Sequence, residues 1–462
     1  MATTRRVLKI TPILVTLNIL VLLIIMGFYT FRLIKYYNLE HGNKNGGPVL
    51  LVDAVKKKQS YLDDTKGLVF NEEKKTYRYK GEVDDNYILY SGLLYRIISI
   101  DEEGNIKAVS EENVTLLYPG FENGYDKSYV NKWLNESDTD HSGVFEKTLV
   151  NSKSLLDDTS MCSDVIDDLG NITCEESGTY RVSLLSLYDY KECGGKSSFL
   201  NNGTSYYLGT LNKNNEIYYV TNEGEIALDQ KASRAITIKP VITFSSGDEL
   251  ISGTGKKNDP YIIEKHDIET LSDVYVGNII KINDNKYKVV EIQESSVRVV
   301  STDILMEDEE NDLKIAFGGS NNVYSIKNTV GKYLNNTFLN SLELKDSVVN
   351  SNWYVNVLSL ANLDYVSLRS SKVSAKVGML TMGDMFVNES ENVLTILRGM
   401  EATNIINVIN ENGNFFGDTI TSKYNVKPAF NIKGDLKITG GNGTMESPYE
   451  LGVKNETEGK EE

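Results

Sequence analysis

Apolar and polar positions change rhythm along this 462-residue chain. Residues 10–31 run 22 positions without a charge. At about 1.5 Å per residue they reach roughly 33 Å as a helix, enough to cross a bilayer core. Beyond residue 66, apolar residues alternate with polar ones in short runs broken by Gly, Asn and Asp, the pattern of half-buried strands. Residues 95–100 (YRIISI) and 106–109 (IKAV) flank Glu102-Glu103-Gly104-Asn105 and predict a hairpin. Residues 279–282 and 287–292 flank Asn283-Asp284-Asn285 and predict another. Residues 67–70 (GLVF) and 76–79 (TYRY) read as an added edge strand. Helical spacing is rarer. Val130, Trp133 and Leu134 recur at i, i+3, i+4, as do Val330, Tyr333 and Leu334, so each place predicts one short amphipathic helix, with Ser128 or Asn328 near its start. Ser186-x-x-Asp189 and Thr381-x-x-Asp384 carry the capping pattern that satisfies free N–H groups where a helix begins. Together these signals predict an α+β fold with few short helices and twisted antiparallel sheets.

The pattern is written twice. Residues 239–263 (KPVITFSSGDELISGTGKKNDPYII) recur without a gap as residues 427–451 (KPAFNIKGDLKITGGNGTMESPYEL). Lys239, Pro240, Gly255, Pro260 and Tyr261 meet Lys427, Pro428, Gly443, Pro448 and Tyr449 in a chain with only seven prolines. Further blocks match in order: 95–100 with 287–292, Val130 to Asn135 with Val330 to Asn335, and 182–189 with 377–384. Val220, Asn222 and Glu223 face Val408, Asn410 and Glu411. A repeat this long predicts tandem copies of a domain, where a period of 20–50 residues would have meant a solenoid. Each copy is long enough to bury its own core. The expected division is a cytoplasmic amino terminus at 1–9, a transmembrane anchor at 10–31, a spacer at 32–66, domains at 67–265 and 266–453, and a tail at 454–462.

A cleaved signal peptide would have a shorter apolar region ending at small residues, and the exit GFYTFRLIK at residues 27–35 has no such site. The run is therefore read as an uncleaved anchor, with the repeats outside the cytoplasm and the membrane as one partner. Residues 1–35 hold five Lys and Arg and no acid, leaving 43 basic against 65 acidic residues and a net charge of −22 beyond them. So acidic a body repels nucleic acid and anionic lipid, and nucleic acid is not an expected partner.

Little chemistry is written in the sequence. Of Cys162, Cys174 and Cys193, the first two bracket an Asp-, Gly- and Asn-containing loop, which favours their pairing outside the cell; free thiols are the alternative. His41, His141 and His266 form no metal motif, and no Gly-x-Ser-x-Gly elbow accompanies His141. Asp138-x-Asp140-x-Ser142 imitates the start of a calcium loop but has Leu149 where its final Glu belongs. No metal, cofactor or catalytic set is expected. The remaining clue is aromatic. Tyr206-Tyr207 and Tyr218-Tyr219 would each place one ring out and one in on a strand, and exposed tyrosines suit recognition of a sugar or a protein. Core packing is the competing reading.

Residues 76–100, TYRYKGEVDDNYILYSGLLYRIISI, resemble the opening of an uncharacterised domain family frequent in exported proteins of low-GC Gram-positive bacteria. Residues 132–135 (KWLN), 183–190 (SLLSLYDY), 205–210 (SYYLGT), 239–244 (KPVITF), 253–255 (GTG) and 259–263 (DPYII) are similar to it as well. That family is distantly similar to C-type-lectin-like domains, the fold shared with formylglycine-generating enzymes and bacterial adhesin tips. The resemblance implies two tandem lectin-like domains at a cell surface. The Glu-Pro-Asn or Gln-Pro-Asp tripeptide of calcium-dependent lectins is missing, and so is the late cysteine pair of the enzymes. The second copy has Tyr333 for Trp133, and the YYLGT block is read as lost from it. The expected function is extracellular recognition or adhesion with a glycan, envelope polymer or protein as partner. A spacer or membrane scaffold is the alternative, and an envelope-modifying enzyme a more distant one.

Overall fold

The computed structural model describes residues 48–452 apart from 62, 112–113, 118–124, 136–144, 146–154, 157–158, 167–169, 215, 230–234, 265, 356, 360–363, 367–370, 382–383, 385–391, 401 and 411–414. The expected anchor at 10–31, the segment 1–9, the tail 454–462, His41, His141 and the calcium-like stretch at 138–143 lie outside the described residues. Among the described residues no helix is long and apolar enough to cross a membrane.

The described residues form two β-rich halves, with 44% strand against 13% helix. The helices are few and short beside the sheets, as the sequence pattern predicts. The first half contains β1 (Gly67–Asn71), β2 (Thr76–Lys80), β3 (Tyr87–Tyr90), β4 (Leu93–Ile100) and β5 (Ile106–Ser110). Next come β6 (Val114–Leu117), β7 (Thr159–Ile166), β8 (Ile172–Tyr180), β9 (Ser183–Leu184) and β10 (Tyr206–Leu211). It ends with β11 (Ile217–Val220), β12 (Ile226–Asp229), β13 (Ala235–Ile238), β14 (Pro240–Phe244) and β15 (Tyr261–Ile262). The second half contains β16 (Ile279–Ile282), β17 (Asn285–Ile292), β18 (Ser296–Ser301), β19 (Ile315–Ala316), β20 (Val348–Val349) and β21 (Ser351–Tyr354). Then follow β22 (Val357–Ser359), β23 (Asp364–Val366), β24 (Lys372–Ala375), β25 (Val377–Met379), β26 (Val393–Gly399) and β27 (Ile405–Ile409). The last are β28 (Phe415–Thr419), β29 (Lys423–Tyr424), β30 (Pro428–Lys433), β31 (Lys437–Gly440) and β32 (Tyr449–Gly452).

The strand pairing repeats. In the first half β15 lies parallel to β3, and β4, β5, β14 and β9 follow in antiparallel order. In the second half β32 lies parallel to β16, and β17, β18, β30 and β25 follow in the same way. Each half adds a five-stranded sheet, β12-β11-β10-β13-β6 in one and β23-β22-β26-β27-β28 in the other. The β1–β2 hairpin joins the edge of the first large sheet, where the sequence placed it.

The repeated residues are those the framework needs. Gly253 and Gly441 adopt φ of +96° and +81°, and a side chain there would run into the carbonyl oxygens of Pro260 and Pro448. Gly255 and Gly443 then accept the N–H groups of Tyr87 and Ile279 at 2.8 Å in both halves, which starts β3 and β16. Asn135 and Asn335 act as matching clamps. Each side chain accepts a backbone N–H and donates back to the carbonyl of the same residue: Val182 at 2.9 and 2.8 Å, Val377 at 3.0 and 2.9 Å. The helix that carries Asn135, α2 (Tyr129–Asn135), is preceded by Ser128, whose Oγ accepts from Asn131 N–H at 3.1 Å. Asn328 caps the second-half helix by accepting from Gly331 N–H at 2.9 Å, and that helix continues past Lys332 as a π-helical stretch, Tyr333–Phe338.

Two expectations need correction and a third needs refinement. The spacer does not extend to residue 66. Helix α1 (Leu51–Lys56) buries Leu51, Val52 and Val55 against the first half, and the Leu51 N–H donates to the Asp248 carbonyl at 2.9 Å. The run LVDAV was too short to outweigh the Gly, Pro and Lys around it. The second half loses the YYLGT residues but not their strand, because β26 (VLTILRG) takes the place of β10, with a register shift at the matching point. That pairing sets Val220 against Ile409, one residue from the match with Val408.

Candidate functional site

Tyr206 and Tyr207 are both 0% exposed, so the expected alternation of one ring out and one in fails there. β10 is a central strand covered on both faces, with Tyr206 Oη donating to the Leu200 carbonyl at 3.1 Å and Tyr207 Oη to Asp229 at 3.0 Å. Val393 and Leu394, also 0% exposed, occupy the equivalent positions in the second half. Tyr218 and Tyr219 on β11 are half-buried, and Tyr219 stands edge-on to Tyr207 with ring centroids 6.4 Å apart. The four tyrosines therefore build the sheet more than they face solvent.

The strongest electrostatic feature of the first half is also internal. Asp189, on helix α3 (Leu187–Glu192), receives Arg78 from β2 and Lys107 from β5, each at 2.8 Å. Burial alone would raise its carboxyl, but the charges of Lys107 and Arg78 outweigh that and hold it well below the ordinary carboxylate range. Ser186 Oγ accepts from Asp189 N–H at 3.0 Å, so the capping pattern read from the sequence starts α3 and aims Asp189 at its cations. Cys193, at the end of α3, is buried beside Arg78, and burial pushes its thiol up to about 11. Cys193 is accordingly expected to resist alkylation in the folded protein and to react within seconds to minutes of denaturation. A mass-spectrometric count of alkylated thiols with and without denaturant checks this.

A different arrangement faces outward. Cys162 and Cys174 are disulfide-bonded, with Cα atoms 5.0 Å apart, across the hairpin β7–β8. The root of this hairpin is buried, with Thr159 at 0% and Met161 at 5% exposure. Asp164 on β7 pins it to α3 by accepting the N–H of Leu187 at 3.0 Å and of Tyr188 at 3.3 Å, and it also accepts the Thr210 hydroxyl. Burial raises the Asp164 carboxyl, partly opposed by these donors. The next two residues, Val165 and Ile166, are 42% and 38% exposed. The strand thus leads from a fixed, stapled root to an apolar end in solvent. Tyr188, half-buried and flanked by Lys74 and Arg78 at 5.9 and 5.5 Å from its ring centre, lies beside the root. Sequence reading found the bridge but not the exposed end. The alternation stops at Val165-Ile166, and that is the signal it could have used.

The halves meet through named contacts. Glu264 Oε1 accepts the Ser91 N–H at 2.6 Å and the Tyr275 hydroxyl at 3.4 Å. Gly92, at φ +73°, leaves room for the Tyr275 ring, and His266 packs against that ring, tilted by 45° with centroids 5.0 Å apart. His266 therefore belongs to this packing.

Among the described residues no group of three or more His, Cys, Asp or Glu side chains is arranged to hold a metal ion. Comparison with known proteins finds no matching family model, no matching curated protein and no matching solved structure.

Proposed function

We propose that this chain is an exported recognition protein, anchored through residues 10–31, whose contact surface is the stapled hairpin of the first half. The observation that carries the reading is the exposed apolar end, Val165 and Ile166, on a hairpin fixed by a disulfide and by Asp164. Disulfides persist in oxidising compartments, which supports a body outside the cytoplasm. A hairpin already held in one conformation loses little freedom on binding. Two branched aliphatic side chains suit an apolar patch on a partner protein better than a sugar, whose hydroxyls they leave unsatisfied. In this reading each half is a lectin-like domain, as the sequence resemblance implies, and the repeated strand order supports that. The second half lacks the staple and supports the first. A scaffold role is the second reading, favoured by the packing of Tyr275 and Glu264 against the Ser91-Gly92 turn.

The test is a binding screen of the full chain against cell-surface proteins, glycans and envelope polymers, repeated with Val165→Ser/Ile166→Ser. Saturable binding to a protein, weakened roughly tenfold or more by the double substitution, is expected, since each buried methylene contributes about 0.8 kcal/mol. Binding that the substitution leaves unchanged would place the contact elsewhere. No binding to any component would favour the scaffold.

A further inference from the structure

The second half buries a guanidinium that its own side chains do not satisfy. Arg298 on β18 is 7% exposed, and its guanidinium carbon lies 4.2 Å from the centre of the Trp353 ring. Its one ion pair among the described residues is long, Nη1 to Glu291 Oε2 at 3.7 Å. Nε and Nη2 are buried and have no hydrogen-bond partner. These two N–H groups form the edge that grips a carboxylate with two parallel bonds. Leaving them bare is costly, because each buried N–H has lost its water without gaining a partner. Directly opposite on β30, Asn431 donates from Nδ2 to Gln293 at 3.1 Å, while its Oδ1 is buried without a partner. Two donors and one acceptor therefore stand unmet at neighbouring positions.

The first half shows what fills this place. Strand register makes Lys107 the counterpart of Arg298, since Lys107 faces Thr243 as Arg298 faces Asn431. Lys107 is neutralised from within by the Asp189 carboxylate at 2.8 Å. The counterpart of Asp189 is Asp384, which is buried but turned to its own segment, where it accepts the Thr381 N–H at 2.7 Å. It makes no ion pair with Arg298. The repeat has kept the cation and redirected the anion.

We propose that the Nε–Nη2 edge of Arg298 binds a carboxylate from outside the chain, in the place that Asp189 fills in the first half. The unmet Asn431 Oδ1 calls for a donor next to that carboxylate, so the ligand class is a small monocarboxylate with an adjacent hydroxyl or amide N–H. Glu291 beside Nη1 disfavours the second negative charge of phosphate. Trp353, on β21, covers one face of the guanidinium and leaves the in-plane Nε–Nη2 edge to the ligand.

The test is calorimetric titration of the full chain with lactate, acetate and inorganic phosphate at matched ionic strength. Lactate is expected to bind saturably at one site, acetate several-fold more weakly, and phosphate not at all. Arg298→Lys keeps the charge but loses the two-pronged edge, and is expected to weaken lactate at least tenfold. Should that variant fold poorly, Asn431→Asp serves instead: it supplies an internal carboxylate opposite Arg298, and is expected to abolish lactate binding while raising the unfolding temperature of the second half. The proposal is overturned if no carboxylate binds the wild-type chain, or if both variants bind lactate as it does; ordered water then holds the edge.

Discussion

Replacing Asp189 with alanine is expected to destabilise the first half by about 3–5 kcal/mol, the usual cost of leaving buried charge unpaired. Two cations lose their common partner at once, because Arg78 and Lys107 both reach Asp189 at 2.8 Å and all three side chains are largely withdrawn from water. Each half holds one tryptophan, Trp133 and Trp353, so variants that keep only one of them report the unfolding of each half by fluorescence. The Trp133 transition should move and the Trp353 transition should not. A triple substitution, Asp189→Leu with Arg78→Leu and Lys107→Met, should cost less than Asp189→Ala alone, since it removes the stranded charges as well. The pH dependence has a definite sign. The folded carboxyl sits well below the ordinary range, so its contribution is fully present above the unfolded value of about 3.9. It is lost as pH falls from there toward the folded value, and acid should loosen the first half before the second.

Alanine at Gly253 or Gly441 is expected to cost about 2–4 kcal/mol, from a left-handed backbone forced on an L-residue together with a steric clash. A Cβ would stand 1.8 Å from the Pro260 carbonyl oxygen in the first case and 1.9 Å from that of Pro448 in the second. Neither oxygen can retreat easily, because each belongs to the residue entering the strand that runs parallel to β3 or β16. Gly253→Ala should shift the Trp133 transition and Gly441→Ala the Trp353 transition by similar amounts. Gly247→Ala is the control. Its Cβ would meet nothing nearer than Ser245 Oγ at 3.7 Å, and little change is expected.

The sequence showed most where backbone geometry restricts residue choice. The Gly-x-Gly and Pro-Tyr pairs, the Asn135 and Asn335 clamps and the two cap residues recur because a turn, a carbonyl or an N–H group requires them, and their spacing survived divergence of everything around them. Strand β26 escaped notice because Val393-Leu394 and Tyr206-Tyr207 share only burial, which many apolar residues satisfy. The same comparison explains the tyrosines: a site occupied by valine and leucine in one copy is a core site in both. Helix α1 was hidden by its brevity, six residues held in place by the turn after β14, far along the chain. The contrast between Lys107 and Arg298 was invisible for another reason. Both are cations in matching strands, and only the direction of Asp189 and Asp384 distinguishes them.

The account depends most on a hairpin that is stapled and works outside the cytoplasm. The direct measurement is mass spectrometry of the chain from cells quenched with an alkylating agent before lysis, with peptides resolved around each cysteine. The account predicts Cys162 and Cys174 joined in one peptide pair and Cys193 as a thiol, alkylated only after denaturation. Three freely alkylated thiols without reduction would contradict it, since the hairpin would then be unstapled and the body would lie in a reducing compartment.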